Sequence, residues 1–366
     1  MKRLLITGGA GFIGANFCHY WSAAHPGDRL VVLDALTYAG NLASIDTLIQ
    51  SKRVRFVHGD ICDRDHDAAL LREELIDTVV NFAAESHVDR SIENPHSFLR
   101  TNVMGIHALL EAARMVWSHP APSGYRFHHV STDEVYGSLG STDPAFTEST
   151  PYAPNSPYSA SKAAADHIVR AYTHTYGIPC TISNCSNNYG PYQFPEKLLP
   201  LCIVNILEGR PLPIYGDGLQ IRDWLHVQDH CRAIDLVLRA SRPGETWNVG
   251  GGSSDPNIKV VESICDLVDA EFGQRAELKT RYPRSTPTQG RSSRSLIQHV
   301  RDRPGHDRRY AVDGSKIVRL GFTAQTPLAT GLAATVRWYL ENERWWRAIV
   351  SGEYRQWYDK QYAGAG

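Results

Sequence analysis

The sequence predicts an α/β fold: a doubly wound parallel sheet with a smaller C-terminal α/β domain. Three observations carry that prediction. Short apolar runs alternate with helix-period patterns through the first half of the chain. Each run ends on small, hydroxyl or acidic residues, the type that gathers ligands at the carboxyl edge of a parallel sheet. The length of 366 residues accommodates two domains and a core that needs no covalent staples.

The elements follow in order. Leu4-Leu5-Ile6 reads as a buried strand ending at Thr7 and glycines, and residues 12–24 as an amphipathic helix closed by Pro26-Gly27. Residues 30–33 read as a second strand ending at Asp34. Residues 54–57 run into Gly59-Asp60, and 78–82 into Ala83-Ala84-Glu85. Residues 97–116 carry one long helical pattern, and 127–130 form a strand running into Ser131-Thr132-Asp133. One ring of His128-His129 is expected to pack inward. Prolines 144, 151, 154 and 157 make 143–157 a loop. Residues 158–176 read as a helix, with Ser156 as cap and Pro157 in its first turn. A strand over 180–185 and a polar, aromatic loop over 187–200 come next. Helical patterns then cover 197–208, 229–240, 258–272 and 329–349. Residues 281–295, rich in Arg, Ser, Thr and Pro, read as an exposed loop. The aromatic C-terminus (Trp338, Trp345, Trp346, Trp357) reads as helix packing.

Composition excludes several classes. Lys and Arg number 38 against 39 Asp and Glu, a net charge of −1, so the broad basic field used for nucleic acid is missing. No apolar run approaches the roughly 18 residues of a membrane span. Glycines 8, 9, 11 and 14 interrupt any signal-peptide core, so residues 1–14 read as mature structure. Seven scattered cysteines without a C-x-x-C pair suggest free thiols in a reducing cytoplasm, with neither a zinc site nor a disulfide framework.

Gly9 to Gly14 satisfies G-x-G-x-x-G, and Gly8, Gly11 and Gly14 a looser spacing. The motif follows a predicted strand and opens a predicted helix, and Asp34 follows Gly14 by 20 residues. Glycines admit a pyrophosphate to the backbone, and the helix N-terminus supplies N–H donors. Asp34 suits a ribose hydroxyl and repels a 2′-phosphate, which favours NAD over NADP. Asp60 reads as a strand-end turn or a helix cap.

Tyr158 and Lys162 stand at i and i+4 on one helix face. A tyrosine is ordinarily too basic to ionise at neutral pH, with a pKa of about 10. A nearby ammonium and an oxidised nicotinamide would lower it, making a base for a substrate hydroxyl. Asp133 and Glu134 are adjacent carboxyl groups at a strand end; such pairs are often surface residues. Beside a redox site they could instead divide acid and base roles. Thr132 stands where it can bond the reacting hydroxyl.

These segments carry a resemblance. Residues 7–14 (TGGAGFIG), 36–41 (LTYAGN), 82–92 (FAAESHVDRSI), 131–137 (STDEVYG) and 158–163 (YSASKA) are joined by 187–200 (NNYGPYQFPEKLLP), 213–224 (PIYGDGLQIRDW) and 302–310 (DRPGHDRRY). The chain resembles the extended short-chain dehydrogenase/reductase superfamily, and within it the dTDP-glucose 4,6-dehydratase family. The resemblance implies a Rossmann-type sheet over residues 1–186, with segments near 220–250 returning to it. A nucleotide-sugar domain over 187–366, interleaved with the first, completes the expected division.

It also implies a chemistry. Tyr158 would deprotonate the 4′-hydroxyl, assisted by Thr132 and Lys162, while C4 hydride passes to NAD⁺. Glu134 would take the C5 proton and Asp133 protonate the departing C6 hydroxyl, and the hydride would return to C6. Cofactor contacts carry over to Gly8, Gly11, Phe12, Ile13, Gly14, Asp34, Leu36, Thr37, Asp60, Ile61, Ala83, Ala84, Ser86, Thr101, Tyr158, Lys162 and Asn188. Substrate contacts carry over to Ser86, His87, Thr132, Asn187, Lys197, Leu198, Pro213, Tyr215, Arg222, Asn257, Arg303 and His306. Arg222 and Arg303 suit a diphosphate, although an arginine in the place of Arg222 also reads as a surface salt bridge. No metal is expected, and the resemblance implies a homodimer through helices near 97–116 and 158–176. Ala35 departs from the lysine frequent in the family, and residues 285–295 look like added length. Same-fold rivals are an NAD-dependent 4-epimerase, a decarboxylase, or a 4,6-dehydratase of another nucleotide sugar. A non-catalytic binding protein is the rival of a different class, and the intact Thr132, Tyr158 and Lys162 argue against it.

Overall fold

The computed structural model describes residues 1–119 and 121–350; Trp357 lies outside them. Seven strands build the main sheet: β1 (Arg3–Thr7), β2 (Arg29–Asp34), β3 (Val54–His58), β4 (Thr78–Asn81), β5 (Arg126–Thr132), β6 (Cys180–Cys185) and β7 (Thr246–Val249). All pair in parallel, in the order β7-β6-β5-β4-β1-β2-β3. The chain moves outward from β1 to β3, then crosses to β4. That reversal opens a crevice beyond the carboxyl ends of β1 and β4.

Both sheet faces are buried, which is why the strands read as continuous apolar runs. Leu5, Val31, Val79 and Phe127 face one cluster with the helices Arg64–Glu73, Ile106–Val116 and Pro157–Tyr176. Leu4, Ile6, Val32 and Val80 face the other with Phe12–Ala24 and Val227–Ala240. The same geometry buries His128 and His129 together, one on each face, where the sequence suggested one.

A separate cluster lies around the helices Leu198–Glu208, Asn257–Gln274 and Leu328–Glu341, and includes Tyr189, Ile203, Ile264, Phe272, Tyr339 and Trp346. Beside it, Leu212–Tyr215 pairs in parallel with Ile297–Val300.

Two helices depart from the sequence reading, and one loop is held more firmly than its composition suggests. The 97–116 helix is compound. It begins as Pro95–Phe98, widens to i→i+5 turns over Leu99–Gly105, and continues as Ile106–Val116. Within the wide turns the Asn102 amide holds Glu85 on both sides, accepting from its N–H at 2.8 Å and donating to its carbonyl at 3.0 Å. The 329–349 helix breaks at Asn342 into Leu328–Glu341 and Glu343–Ile349. The break folds Trp346 back, so that its indole donates to the Tyr339 carbonyl at 2.9 Å. Most of residues 281–295 are exposed, as the sequence suggests, but Ser285, Thr286 and Ser293 are buried and anchor the loop. Ser293 bonds Asp269 through its backbone N–H at 3.0 Å and its hydroxyl at 2.5 Å. Polar composition concealed this because polar bonds do the anchoring. Among the described residues, no helix is long and apolar enough to cross a membrane, and no group of three metal-ligating side chains forms.

Candidate active site

The glycine turn is shaped for a dinucleotide. Gly8 takes a left-handed φ of +67°, and a Cβ there would meet the Ala83 nitrogen at 2.6 Å. A Cβ on Gly14 would collide with the Gly8 carbonyl. The helix Phe12–Ala24 has no side-chain cap and no acidic residue in its first turn. Its N–H groups and positive end are therefore open to a diphosphate. Asp34 closes the ribose side. Its two oxygens accept from the backbone N–H groups of Ala10 at 2.9 Å and Leu36 at 2.8 Å, which holds the carboxylate at the tip of β2. Burial raises its pKa, and those two bonds oppose the rise. Asp60 forms a strand-end turn, accepting from Cys62 N–H at 3.0 Å, and pairs with Arg100 at 2.7 Å. These groups fit NAD: a tight backbone cradle, an open helix N-terminus and an acidic strand end.

The reacting end is built by β5 and the helix Pro157–Tyr176. Ser156 caps that helix in a reciprocal box with Ser159, and Pro157 opens it, so Tyr158 sits in the first turn with a fixed direction. Asp133 follows β5 with 1% of its surface exposed, and its Oδ2 has no hydrogen-bond partner. Burial pushes Asp133 well above the carboxylate range, and the charges of Glu134 and Asp223 push it further. Burial also raises Glu134, but the cations of Arg303, Lys197 and Arg222 oppose it. Burial thus raises both neighbouring carboxyls; two nearby anions push Asp133 further, while three cations hold Glu134 back.

The sequence suggests that Lys162 lowers the Tyr158 phenol. The protein by itself does the opposite: burial pushes Tyr158 well above its ordinary value, followed by the Glu134 charge. Hydrogen bonding to Thr132 opposes the rise. Lys162 is directed elsewhere, donating to the Val130 carbonyl at 2.7 Å.

A cavity of about 460 Å³ joins the two ends. From the sequence-predicted set its wall includes Gly8, Gly11, Phe12, Ile13, Gly14, Asp34, Thr37, Asp60, Ile61, Ala83, Ala84, Ser86 and Thr101. It also includes Thr132, Asp133, Glu134, Tyr158, Lys162, Asn187, Asn188 and Lys197. Leu36, His87, Leu198, Pro213, Tyr215, Arg222, Asn257, Arg303 and His306 lie outside that wall. Leu36 holds a left-handed φ of +50° beside Asp34. His87 is buried before the helix Val88–Glu93, and burial and the Lys197 charge keep it neutral. Leu198 and Asn257 each begin a helix.

The others gather beyond Glu134. Tyr215 donates to Asp89 at 3.0 Å, Arg303 pairs with Asp89 at 3.5 Å, and the His306 ring meets Tyr215 edge-on. Pro213 lies on the same strand as Tyr215. Arg222 is buried, not a surface ion pair: it donates to the carbonyls of Ile221 and Asp307 and stacks 4.3 Å from the Tyr310 ring centre.

The sequence reading missed Glu85, Arg100, Gln193 and Glu196, all in the cavity wall. Glu196 stands next to Lys197 in a segment already singled out, but its partners Tyr38 and Arg90 are remote in sequence.

Comparison with known proteins agrees with this geometry. A family model described as GDP-mannose 4,6 dehydratase matches residues 5–335. The chain is 54% identical over 359 residues to a dTDP-glucose 4,6-dehydratase of Xanthomonas campestris pv. campestris, covering 97% of this chain and 98% of that one. It is 49% identical to a dTDP-glucose 4,6-dehydratase of Salmonella typhimurium, covering 99% of each. A dTDP-glucose 4,6-dehydratase from Streptomyces venezuelae, solved with NAD bound, superposes with a TM-score of 0.84 at 46% identity, covering 95% of this chain and all of the other. The chain therefore belongs to the dTDP-glucose 4,6-dehydratase family, within the wider group that the GDP-mannose 4,6 dehydratase model describes.

Proposed function

We propose that the protein dehydrates dTDP-glucose to dTDP-4-dehydro-6-deoxy-glucose, with NAD recycled at each turnover. The observation that carries this reading is the pair Asp133–Glu134 in one cavity wall with Tyr158 and Lys162. An elimination needs one carboxyl protonated and its neighbour ionised; burial raises both, and nearby anions push Asp133 further while cations hold Glu134 back. A 4-epimerase needs neither group.

NAD, when bound, supplies the hydride acceptor at C4 and the donor at C6. The phenolic oxygen of Tyr158 takes the proton of the 4-hydroxyl, with Thr132 aligning that hydroxyl. The new ketone acidifies C5–H, and a Glu134 oxygen takes that proton. Asp133 gives its proton to the departing C6 oxygen, which leaves as water, and once C6 is reduced Glu134 returns a proton to C5. Lys197, Arg222 and Arg303 hold the nucleotide end, where a guanidinium forks onto phosphate oxygens.

The test is incubation of the purified protein with dTDP-glucose carrying deuterium at C4. Loss of one water, with the label at C6 and no accumulated NADH, is expected. Unchanged mass, or label lost to solvent, overturns the reading.

The assignment of residues 1–186 and about 220–250 to NAD, and of most of 187–366 to the sugar nucleotide, belongs to the same proposal. So does a cytoplasmic homodimer. All seven cysteines are free thiols. Leu99, Met104, Met115 and Tyr176 expose apolar surface on the two helical segments that would pair. A monomeric mass by analytical ultracentrifugation would remove the dimer.

A further inference from the structure

Behind Lys162 lies a buried polar row that the chemistry above does not use. Strand register sets Thr7, Asn81 and His129 side by side on β1, β4 and β5. The Thr7 hydroxyl donates to Asn81 Oδ1 at 2.6 Å, which leaves Asn81 Nδ2 to donate to His129 Nδ1 at 3.1 Å. A ring nitrogen that accepts carries no proton, so the neutral imidazole carries its proton on Nε2. That nitrogen lies 3.3 Å from Lys162 Nζ and 3.5 Å from Asp166 Oδ1. An N–H cannot accept from an ammonium; in this tautomer the nearest acceptor to it is Asp166 Oδ1, which makes no hydrogen bond of its own. The other oxygen of Asp166 accepts from the hydroxyls of Ser131 and Tyr152, both at 2.9 Å. Tyr152 in turn accepts from Asn184 and Arg170, both at 3.1 Å. Lys162 and Asp166 stand at i and i+4 on one helix, 3% and 0% exposed.

We propose that Asp166, one turn along the helix and with the His129 ring beside both groups, is the positioning residue that keeps Lys162 charged where it meets the Val130 carbonyl in the cavity wall. The proposal rests on the reading of Lys162 as part of the reacting end. Burial brings the Lys162 ammonium down to about 8, and the Asp166 charge is the foremost force opposing it. Burial likewise brings Asp166 up to about 6, opposed first by Lys162. The groups around Lys162 come from three elements. From β5 comes His129, with His128 behind it, both held neutral by burial. From β6 comes the Cys185 thiol, pushed up to about 12 by burial and so neutral. From its own helix come Asp166 and Tyr158, and beyond Tyr158 lie Asp133 and Glu134. Asp166 is the anion that faces the ammonium from one turn away.

The test is the pH profile of kcat/KM for dTDP-glucose, measured on NAD-loaded protein. Asp166→Asn should move the alkaline limb down by about one pH unit, costing about fivefold at pH 8 and less than about twofold at pH 6.5. Asp166→Glu should restore much of the limb. Should Asp166→Asn fail to fold, Asp166→Glu is read alone. A carboxylate lengthened by one methylene keeps its charge but not its place, so the alkaline limb should shift by a fraction of a unit while the rate at lower pH is kept. Parallel losses at all pH values, or an alkaline limb unmoved in the variant that folds, overturn the role of Asp166. No turnover by the wild-type protein overturns both this proposal and the activity on which it rests.

Discussion

The Tyr38 phenol donates to Glu196 Oε1 at 3.0 Å, tying the loop after β2 to the segment that carries Lys197. Arg90 closes the triangle. Its Nε donates to Glu196 Oε2 at 2.9 Å, and its guanidinium lies 3.9 Å from the centre of the Tyr38 ring. Thr37 and Gly40 on one side, and Phe194 and Lys197 on the other, wall the same cavity. Tyr38→Phe removes a hydrogen bond to a buried carboxylate, worth roughly 1.5–3 kcal/mol. The expected outcome is NAD release about tenfold faster or more, followed by trapping the freed cofactor with a second dehydrogenase. Retention equal to the wild type would show that the link does not hold the cofactor.

Glu134→Gln should separate the steps. Tyr158 and Lys162 remain, so oxidation at C4 proceeds, while removal of the C5 proton stalls. Reduced cofactor should build up at 340 nm, and exchange of C5–H with D₂O should fall by about 10²-fold or more. Normal turnover by this variant would assign the C5 base to another residue.

Asp67 supplies a stability prediction. It is buried on the helix Arg64–Glu73, neither oxygen has a hydrogen-bond partner, and burial with the charges of Asp63 and Asp60 pushes it up to about 8. A raised folded-state pKa means that the folded chain binds the extra proton between about pH 4 and pH 8. Stability from this group is therefore full below pH 4 and is lost as pH rises through 8. Asp67→Asn keeps the shape without the charge. It should match the wild type near pH 4 and exceed it by roughly 1–3 kcal/mol at pH 9. Thermal melts at both pH values check the sign; a difference that does not change with pH would contradict it.

Asp269 holds the 285–295 segment through Ser292 and Ser293. Asp269→Ala leaves the buried Ser293 hydroxyl and N–H without this acceptor, at a cost of roughly 1–3 kcal/mol. A lower melting temperature with unchanged NAD content is expected. Loss of NAD would show that this segment also supports the cofactor site.

The cofactor cradle was legible in the sequence because it is local. Gly8, Gly14 and Asp34 belong to one strand–turn–helix–strand unit, and their geometry is imposed by the backbone. The Tyr158–Lys162 spacing was legible for the same reason. What escaped was long-range. Asn102 meets Ser161 at 2.8 Å from 59 positions away, and Glu196 meets Tyr38 from 158. No periodicity encodes such partners. Burial of Asp133 and Tyr158 was equally hidden, since it depends on what folds over them, and it reverses the direction in which the protein alone shifts the phenol. The exposure of 281–295 was legible, but its buried anchors were not, because they are polar. Composition distinguishes polar from apolar residues, but not solvated from bonded ones.

The last strand of the sheet has a consequence during synthesis. β6 ends at Cys185, and its outer neighbour β7 ends at Val249, more than sixty residues later. At about 5–20 residues per second, the ribosome leaves that edge of β6 bare for several seconds. Six strands can already assemble in that interval, and the bare edge is a template for pairing with another nascent chain. Chaperone demand and misassembly should therefore concentrate at one stage of translation, before Thr246–Val249 has emerged.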